Sequence, residues 1–336
     1  MREGVLEGVF LDTGSLDPGL VGASEKAEGA DTAGDLDLKR LEATANWTFY
    51  PHTHGSTVTE RIGDSDVVIT NKVPLDAETI ASADRLKLIA IAATGTNNVD
   101  LEAARAHGVA VANVVGYATP SVTQHVFGLL LALTTHLPEY REAVRAGRWS
   151  ESPHFCLLDY SIEELAGRTL GIAGYGELGH RVADVAKAFG MDVRIAQLPG
   201  RPERPDRTPL AELLPDLDAL SLHCPLTDET RGLIGPPELA RLPDHALLIN
   251  TARGGIVDEP ALAEALRAGT IGGAGMDVLG QEPPPHDHPL LAADIPNLIV
   301  TPHTAWASRQ ARQRMADELA ANVQAFAAGE RRNRVV

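Results

Sequence analysis

The sequence predicts an α/β protein made of two parallel, doubly wound sheets, each covered by helices. Short β-rich runs alternate with helical stretches along almost the whole chain, the pattern of parallel sheets rather than of a sandwich or a bundle. The runs fall into two series separated by one long helical pattern, and in the second series a glycine-rich turn stands between a strand and a helix. A length of 336 residues accommodates about two domains, and a 44% hydrophobic content is enough to bury a core in each.

The first series reads as strands at "GVFL" (8–11), "DVVIT" (66–70), "KLIAIAA" (87–93) and "GVAVAN" (108–113). Within it, "LVGASEKAEGADTAG" at 20–34 is small, polar and glycine-rich without apolar periodicity, and reads as a flexible surface insertion that carries no chemistry. A helical pattern over roughly 120–146 then hinges the two units. The second series reads as strands at "RTLGIAG" (168–174), "MDVRIAQ" (191–197), "LDALSLH" (217–223), "HALLINT" (245–251), "IGGAGMDV" (271–278) and "NLIVTPH" (297–303). The last stretch, 307–330, has helical periodicity and is placed to cross back to the first unit.

Composition excludes several classes of function. A formal charge of −17 argues against a polyanionic partner, because nucleic acid binding needs a clustered basic surface. The one basic cluster, "RRNR" at 331–334, reads as a solvated tail. Two cysteines, Cys156 and Cys224, are too few for a disulfide framework and fit a reducing compartment. The N-terminal stretch shows no secretion signal, and the longest apolar run, "VFGLLLAL" at 126–133, falls short of the roughly 20 residues a membrane span requires. The expectation is a soluble, cytoplasmic protein with no membrane partner.

"GYGELG" at 174–179 follows the apolar run "LGIAG" and precedes an amphipathic helix, the placement in which a glycine pattern binds a dinucleotide. Gly174 permits a tight turn, Gly176 lets the backbone approach a pyrophosphate, and Gly179 allows helix to pack on strand. The N–H groups of Glu177 and Leu178 at the helix start can then bind phosphate. The next strand should end in an acid that holds the adenosine ribose, about 20 residues on. It ends instead in Gln197. An amide can bond a ribose hydroxyl but cannot repel a 2′-phosphate, and Arg201 and Arg204 follow. NAD(H) is therefore the favoured cofactor, with NADP(H) admitted.

Three separated segments carry charged residues that make chemical sense together. "INTARGGIVDEPAL" (249–262) places Arg253 just beyond an apolar strand, "GMDVLGQEPPP" (275–285) places Asp277 at a strand end and Glu282 in a proline-rich turn, and "LIVTPHTAWAS" (298–308) places His303 after another strand. The carboxyl ends of parallel strands line one crevice, so residues distant in sequence can converge there. Reduction of a 2-keto acid needs a cation to hold the carboxylate and polarise the carbonyl, a role for Arg253. It needs a proton donor near neutral pH, a role for His303. A carboxylate that orients the imidazole completes the set, a role for Glu282.

With these motifs the sequence resembles the D-isomer-specific 2-hydroxyacid dehydrogenase family along nearly the whole chain except 20–34. The resemblance rests on "GYGELGH", "HCPLTDETRGLI" (223–234), "LLINTARGGIVDEPALAEAL" (247–266), "GAGMDV" with "EP", and "TPHTAWAS". It implies a discontinuous, flavodoxin-like substrate domain from 1–114 and 306–336, and an NAD-binding Rossmann domain at 115–305, with a cleft between them. Carried over by position, Arg253 binds substrate and Glu282 with His303 forms the acid–base pair. Asp277 receives the nicotinamide carboxamide, together with the segment of His303 and Ala305. Thr123 lies near the nicotinamide ribose, and Cys224, Pro225, Thr230, Thr251 and Ala252 contact the cofactor largely through backbone. Loops at Lys72–Val73 and Thr94–Gly95 offer N–H groups to the substrate carboxylate.

Within the family, "TNKVP" (70–74), "AATGTNNVD" (92–100) and "VVGYATPSVTQH" (114–125) are most similar to the glycerate dehydrogenase branch. That branch turns hydroxypyruvate into D-glycerate and glyoxylate into glycolate. D-Lactate dehydrogenase and an NADH-sensing corepressor-like protein remain as alternatives. The segment 121–147 resembles the family's dimer-forming arm, which implies a homodimer. No metal is expected, since "PHTH" (51–54) and "HDH" (286–288) lack further ligands. Ser121 reads as a helix-start residue and Cys224 as an inert thiol.

Overall fold

The computed structural model describes residues 5–17 and 34–336. The insertion expected at 20–34 lies outside the described residues except for its last glycine. The chain divides into two compact units, one of residues 1–118 with 307–336 and one of residues 119–306.

The first unit alternates strand and helix: β1 (Glu7–Phe10), α1 (Lys39–Glu42), β2 (Asn46–Phe49), α2 (Val58–Ile62), β3 (Val67–Thr70), α3 (Ala77–Ala81), β4 (Leu88–Ile91), α4 (Leu101–Ala106) and β5 (Ala110–Ala112). The strands pair in parallel in the order β2-β1-β3-β4-β5, the flavodoxin-like order. β3 and β4 are buried at every residue because helices cover both faces of an inner parallel strand. Asp76 and Asp100 fix the starts of α3 and α4, their carboxylates accepting from the N–H groups of Thr79 and of Glu102 and Ala103.

The second unit begins with α5 (Thr119–Thr135) and α6 (Leu137–Arg145). The single long helix expected over 120–146 is broken at His136, which has a φ of +50°. Pro138 has no N–H to donate to the Thr134 carbonyl, which accepts instead from the N–H of Glu163 at 2.9 Å. There follow β6 (Thr169–Ala173), α7 (Glu177–Ala188), β7 (Asp192–Gln197), β8 (Thr208–Pro209), α8 (Leu210–Leu213), β9 (Ala219–Leu222), α9 (Pro236–Leu239), β10 (Leu247–Asn250), α10 (Glu259–Ala268), β11 (Gly273–Met276) and β12 (Leu298–Val300). The sheet order is β12-β11-β10-β9-β6-β7-β8, which reverses direction between β6 and β9. Val126, Leu129, Leu130 and Leu133 of α5 join Leu170, Ile172 and Ile249 in one core cluster. The apolar surplus of α5 is thus largely used inside its own unit.

β2 and β8 have no counterpart in the sequence expectation. Both are edge strands. β2 alternates exposed and half-buried residues, and β8 spans two residues, so neither carries the apolar run that marks an inner strand.

The chain returns to the first unit through α11 (Arg309–Ala327), whose Ser308 cap accepts from Ala311 N–H and whose Met315, Leu319 and Val323 are buried. The "RRNR" segment is not the solvated tail its charge suggests. Arg334 pairs antiparallel with Ala112, the Val335 N–H donates to Val111, and the Asn113 N–H donates to Asn333. The exposed edge of β5 has backbone groups that need partners, and the chain end supplies them. Among the described residues no helix is long and apolar enough to cross a membrane.

Candidate active site

Ligand crevices of open parallel sheets lie at the carboxyl ends of the strands where the order reverses, here between β6 and β9. Gly174, just after β6, has a φ of +105°, and a Cβ on it would lie 2.5 Å from both His223 C and Cys224 N. Any side chain would push the turn off the end of β9. Gly179, in the first turn of α7, would place a Cβ 2.2 Å from the Gly174 carbonyl oxygen, so the helix rests directly on the turn. Gly176 caps α7, and nothing lies within 4 Å of its Cβ position. The first-turn N–H groups of α7, which include Glu177 and Leu178, face this open space at the positive end of the helix. The Glu177 carboxylate accepts from the Thr119 hydroxyl at 2.6 Å, and one turn further along α5 the buried Thr123 donates to the Thr119 carbonyl at 2.8 Å.

Three buried polar atoms without a partner stand at the carboxyl ends of strands on both sides of β6: Gln197 Oε1 at the end of β7, His223 Nδ1 after β9 and Thr251 Oγ1 after β10. Buried polar atoms are nearly always paired, so this row together with the open cradle at Gly176 fits a polar ligand such as a dinucleotide. A cavity of about 220 Å³ beside it is lined by Leu198, Gly200, Arg201, Cys224, Pro225 and Thr230 among others. Thr230 shapes its wall, donating to the Pro225 carbonyl at 2.6 Å. Burial pushes the Cys224 thiol up to about 11, as an inert thiol requires. The Gln197 amide nitrogen is turned inward, donating to the carbonyls of Leu198, Arg201 and Pro202 at 3.1–3.2 Å. Burial lowers the His223 imidazole to about 4, because a protonated ring would carry a buried Nδ1–H with no acceptor.

The loops that bear Arg253 and Glu282 lie against each other. The buried Asn250 clamps the first loop, accepting from the Ala252 N–H at 3.0 Å and donating to the Arg253 carbonyl at 2.9 Å. Arg253 itself is exposed, and its guanidinium donates to the Ala252 carbonyl at 2.6 Å. At Gly254 this loop presses on the second, since a Cβ there would lie 1.9 Å from the Leu279 carbonyl oxygen and 2.5 Å from Gly280 N. The Leu279 N–H donates to Glu282 Oε1 at 2.9 Å, and Glu282 Oε2 lies 2.6 Å from His303 Nδ1. This contact makes Nδ1 the protonated nitrogen and leaves Nε2 to exchange a proton with a ligand.

His303 is held in a left-handed conformation, φ +53°, rare for a residue with a side chain. Its N–H donates to the Asp277 and Thr301 carbonyls at 2.8 and 2.9 Å. The buried Asp277 carboxylate accepts from the Thr301 hydroxyl at 2.5 Å and from the N–H groups of Thr304 and Ala305 at 2.9 Å each. It thereby ties down the whole 301–305 loop. His125 of α5 adds a contact of 2.9 Å to the Thr301 hydroxyl.

In the first unit, the buried Asp12 carboxylate accepts from the N–H groups of Asn71 and Lys72 at 2.8 and 2.7 Å. The Lys72 N–H expected to reach a substrate is therefore committed to the protein itself. Burial raises the Asp12 carboxyl despite these bonds. Val73 is buried, with its carbonyl accepting from Thr70 and Asn98, while the Thr94 hydroxyl donates to Val114 beside Gly95. Asp12, Asn250 and His125 escape sequence reasoning because each acts through another residue's backbone or side chain. Among the described residues no group of three or more His, Cys, Asp or Glu could hold a metal.

Residues 127–305 match the family described as "D-isomer specific 2-hydroxyacid dehydrogenase, NAD binding domain". The chain is 46% identical over 306 residues to the glycerate dehydrogenase of Methylorubrum extorquens, covering 89% of this chain and 96% of that one. It is 37% identical to the hydroxypyruvate reductase of Blautia hydrogenotrophica, covering 88% and 94%. The crystal structure of the TT0316 protein from Thermus thermophilus superposes with a TM-score of 0.83 at 34% identity, over 98% of this chain and all of that one. With its glycine turn, its Arg253, Glu282 and His303, and relatives matched along most of its length, the chain belongs to the D-isomer-specific 2-hydroxyacid dehydrogenase family.

Proposed function

We propose that the protein reduces small 2-keto acids to D-2-hydroxy acids, hydroxypyruvate to D-glycerate first and glyoxylate to glycolate second. The observation that carries this reading is the 2.6 Å contact of Glu282 with His303 Nδ1, on a loop locked to the one that bears Arg253. The second unit binds the cofactor at Gly174, Gly176, Glu177, Leu178 and Gly179, and the first unit binds substrate at the Lys72–Val73 and Thr94–Gly95 loops, through N–H groups other than that of Lys72. The bound nicotinamide supplies the hydride. Arg253 binds the substrate carboxylate and polarises its carbonyl. His303 gives the Nε2 proton to the carbonyl oxygen as it gains charge, and Glu282 stabilises the imidazolium before that transfer. Asp277 keeps His303 in place, and with the segment of His303 and Ala305 it would hold the nicotinamide carboxamide.

NADH is the preferred cofactor, with NADPH accepted, because the strand end at Gln197 brings no carboxylate against a 2′-phosphate. The protein is a cytoplasmic homodimer in this reading. Leu137, Trp149, Phe155, Leu158 and Ile162 are all exposed, Phe155 to 92%, and this apolar surface on α6 and the segment after it is the part of the arm that would meet a second copy. Steady-state rates of NADH and NADPH against hydroxypyruvate, glyoxylate, pyruvate and phosphohydroxypyruvate test the activity. The highest kcat/KM is expected for NADH with hydroxypyruvate. Binding of NADH without turnover of any of the four overturns it. His303→Ala should lower kcat by about 10²–10⁴-fold with NADH affinity kept.

A further inference from the structure

The loop that carries Glu282 is also held by two buried side chains. Glu259, the first residue of α10, accepts from the Gly280 N–H with Oε1 at 2.6 Å and meets His288 Nε2 with Oε2 at 2.9 Å. Both side chains are buried, 10% and 8% exposed. The Leu290 N–H lies 3.2 Å from His288 Nδ1, which must accept it. Nδ1 is then unprotonated, and Nε2 carries the hydrogen that goes to Glu259. Every polar atom of the pair is thus assigned, and the assignment ends on Gly280. On its other side the same loop is pressed by Gly254, and Leu279, next to Gly280, gives its N–H to Glu282.

We propose that Glu259 and His288 are positioning residues for the acid–base couple, clamping the 279–282 loop against the Arg253 loop so that Glu282 stays in bonding distance of His303. The clamp explains why a carboxylate is buried there, where an apolar residue would suffice for packing. An isolated buried carboxylate is costly, and this one is compensated by an N–H of the loop it holds, by a histidine and by the positive start of α10. The role rests on the acid–base reading of Glu282 and His303 given above.

The pair can be broken without loss of volume. In Glu259→Gln the amide can still accept from Gly280, but its NH₂ then faces the His288 Nε2–H, donor against donor. Turning His288 to its other tautomer sets Nδ1–H against the Leu290 N–H, so the conflict must move the Gly280 loop or the His288 ring. His288→Leu removes the donor, whereas His288→Gln restores one. In the full-length protein, kcat with hydroxypyruvate should fall about tenfold in Glu259→Gln and His288→Leu, while NADH affinity stays within about twofold. His288→Gln should recover to within about threefold of the parent. Proton NMR supplies a readout that does not depend on turnover. The His303 Nδ1–H should resonate far downfield in the parent and broaden or vanish in the two breaking variants. The inference is overturned if both breaking variants keep parental kcat and the His303 resonance, or if His288→Gln loses as much as His288→Leu. Parental activity in His303→Ala would sink the acid–base reading instead, and the NMR comparison would still decide whether the clamp holds Glu282 on His303. Should His288→Leu fail to fold, the Glu259→Gln and His288→Gln variants decide alone.

Discussion

Gly254→Ala tests whether the Arg253 loop and the Glu282 loop form one unit. The added methyl carbon would lie 1.9 Å from the Leu279 carbonyl oxygen, 2.1 Å from Leu279 C and 2.5 Å from Gly280 N. An ordinary contact begins at 3.4 Å, and all three atoms are backbone, so no side chain can swing aside. The loops must part by about 1.5 Å or the sheet ends must bend. Such overpacking costs about 1–3 kcal/mol of stability. A displacement of about 1 Å between Arg253 and the Glu282–His303 couple costs about 10²-fold in turnover. The assay is kcat/KM with NADH and hydroxypyruvate, read beside the NADH dissociation constant and the melting temperature. Cofactor affinity should change by less than about threefold, because the glycine turn stands on β6 while Gly254 follows β10. Gly128→Ala in α5 is the control: nothing lies within 4 Å of its Cβ position, and the helix should gain up to about 1 kcal/mol. A Gly254→Ala protein with parental kcat/KM and melting temperature would refute the coupling of the two loops.

Three further outcomes follow from the cofactor side. Gly176→Ala meets no protein atom, so the fold should be unchanged while the NADH dissociation constant rises about tenfold or more; calorimetry showing the parental affinity would mean that no ligand approaches there. His223 is lowered to about 4 from an unfolded value of 6.5, so the unfolded chain binds its proton first as pH falls. The stability it contributes is present above pH 6.5 and is lost as pH falls through that window, about 2 kcal/mol between pH 7 and 4.5. His223→Asn should flatten the urea-midpoint curve over that range, and a curve parallel to the parent's would show that the ring does not titrate there. Gln197→Asp removes a donor from three carbonyls and sets a carboxylate at the strand end, so affinity should fall for both cofactors and further for NADPH than for NADH. Equal losses for the two would show that position 197 does not face the ribose.

The residues legible in the sequence are those whose chemistry and local setting coincide. Gly174, Gly176 and Gly179 stand between an apolar run and an amphipathic helix, and Arg253, Glu282 and His303 each follow an apolar strand. Periodicity locates the strand ends, and the geometry of a parallel sheet brings those ends to one edge. Ten strands could be read because each carries an apolar run, including β5 and β12 at the sheet edges. The other two edge strands could not, since β2 alternates exposed and half-buried residues and β8 spans only two residues.

Partner choice is what the tertiary structure alone decided. The Lys72 N–H has a donor's freedom in sequence, yet it is taken by Asp12, 60 residues away. Gln197 reads as a ribose ligand by position, and its amide nitrogen is spent on carbonyls of its own loop, which leaves only Oε1 for a ligand. "HDH" looks like two stray histidines, yet His288 completes a buried pair with Glu259. "RRNR" looks like a free basic tail, yet it finishes the edge of β5. A residue's type states which bonds it can make. Which one it makes depends on how chain segments far apart in sequence are brought together, and on the cost of leaving any buried polar group unpaired.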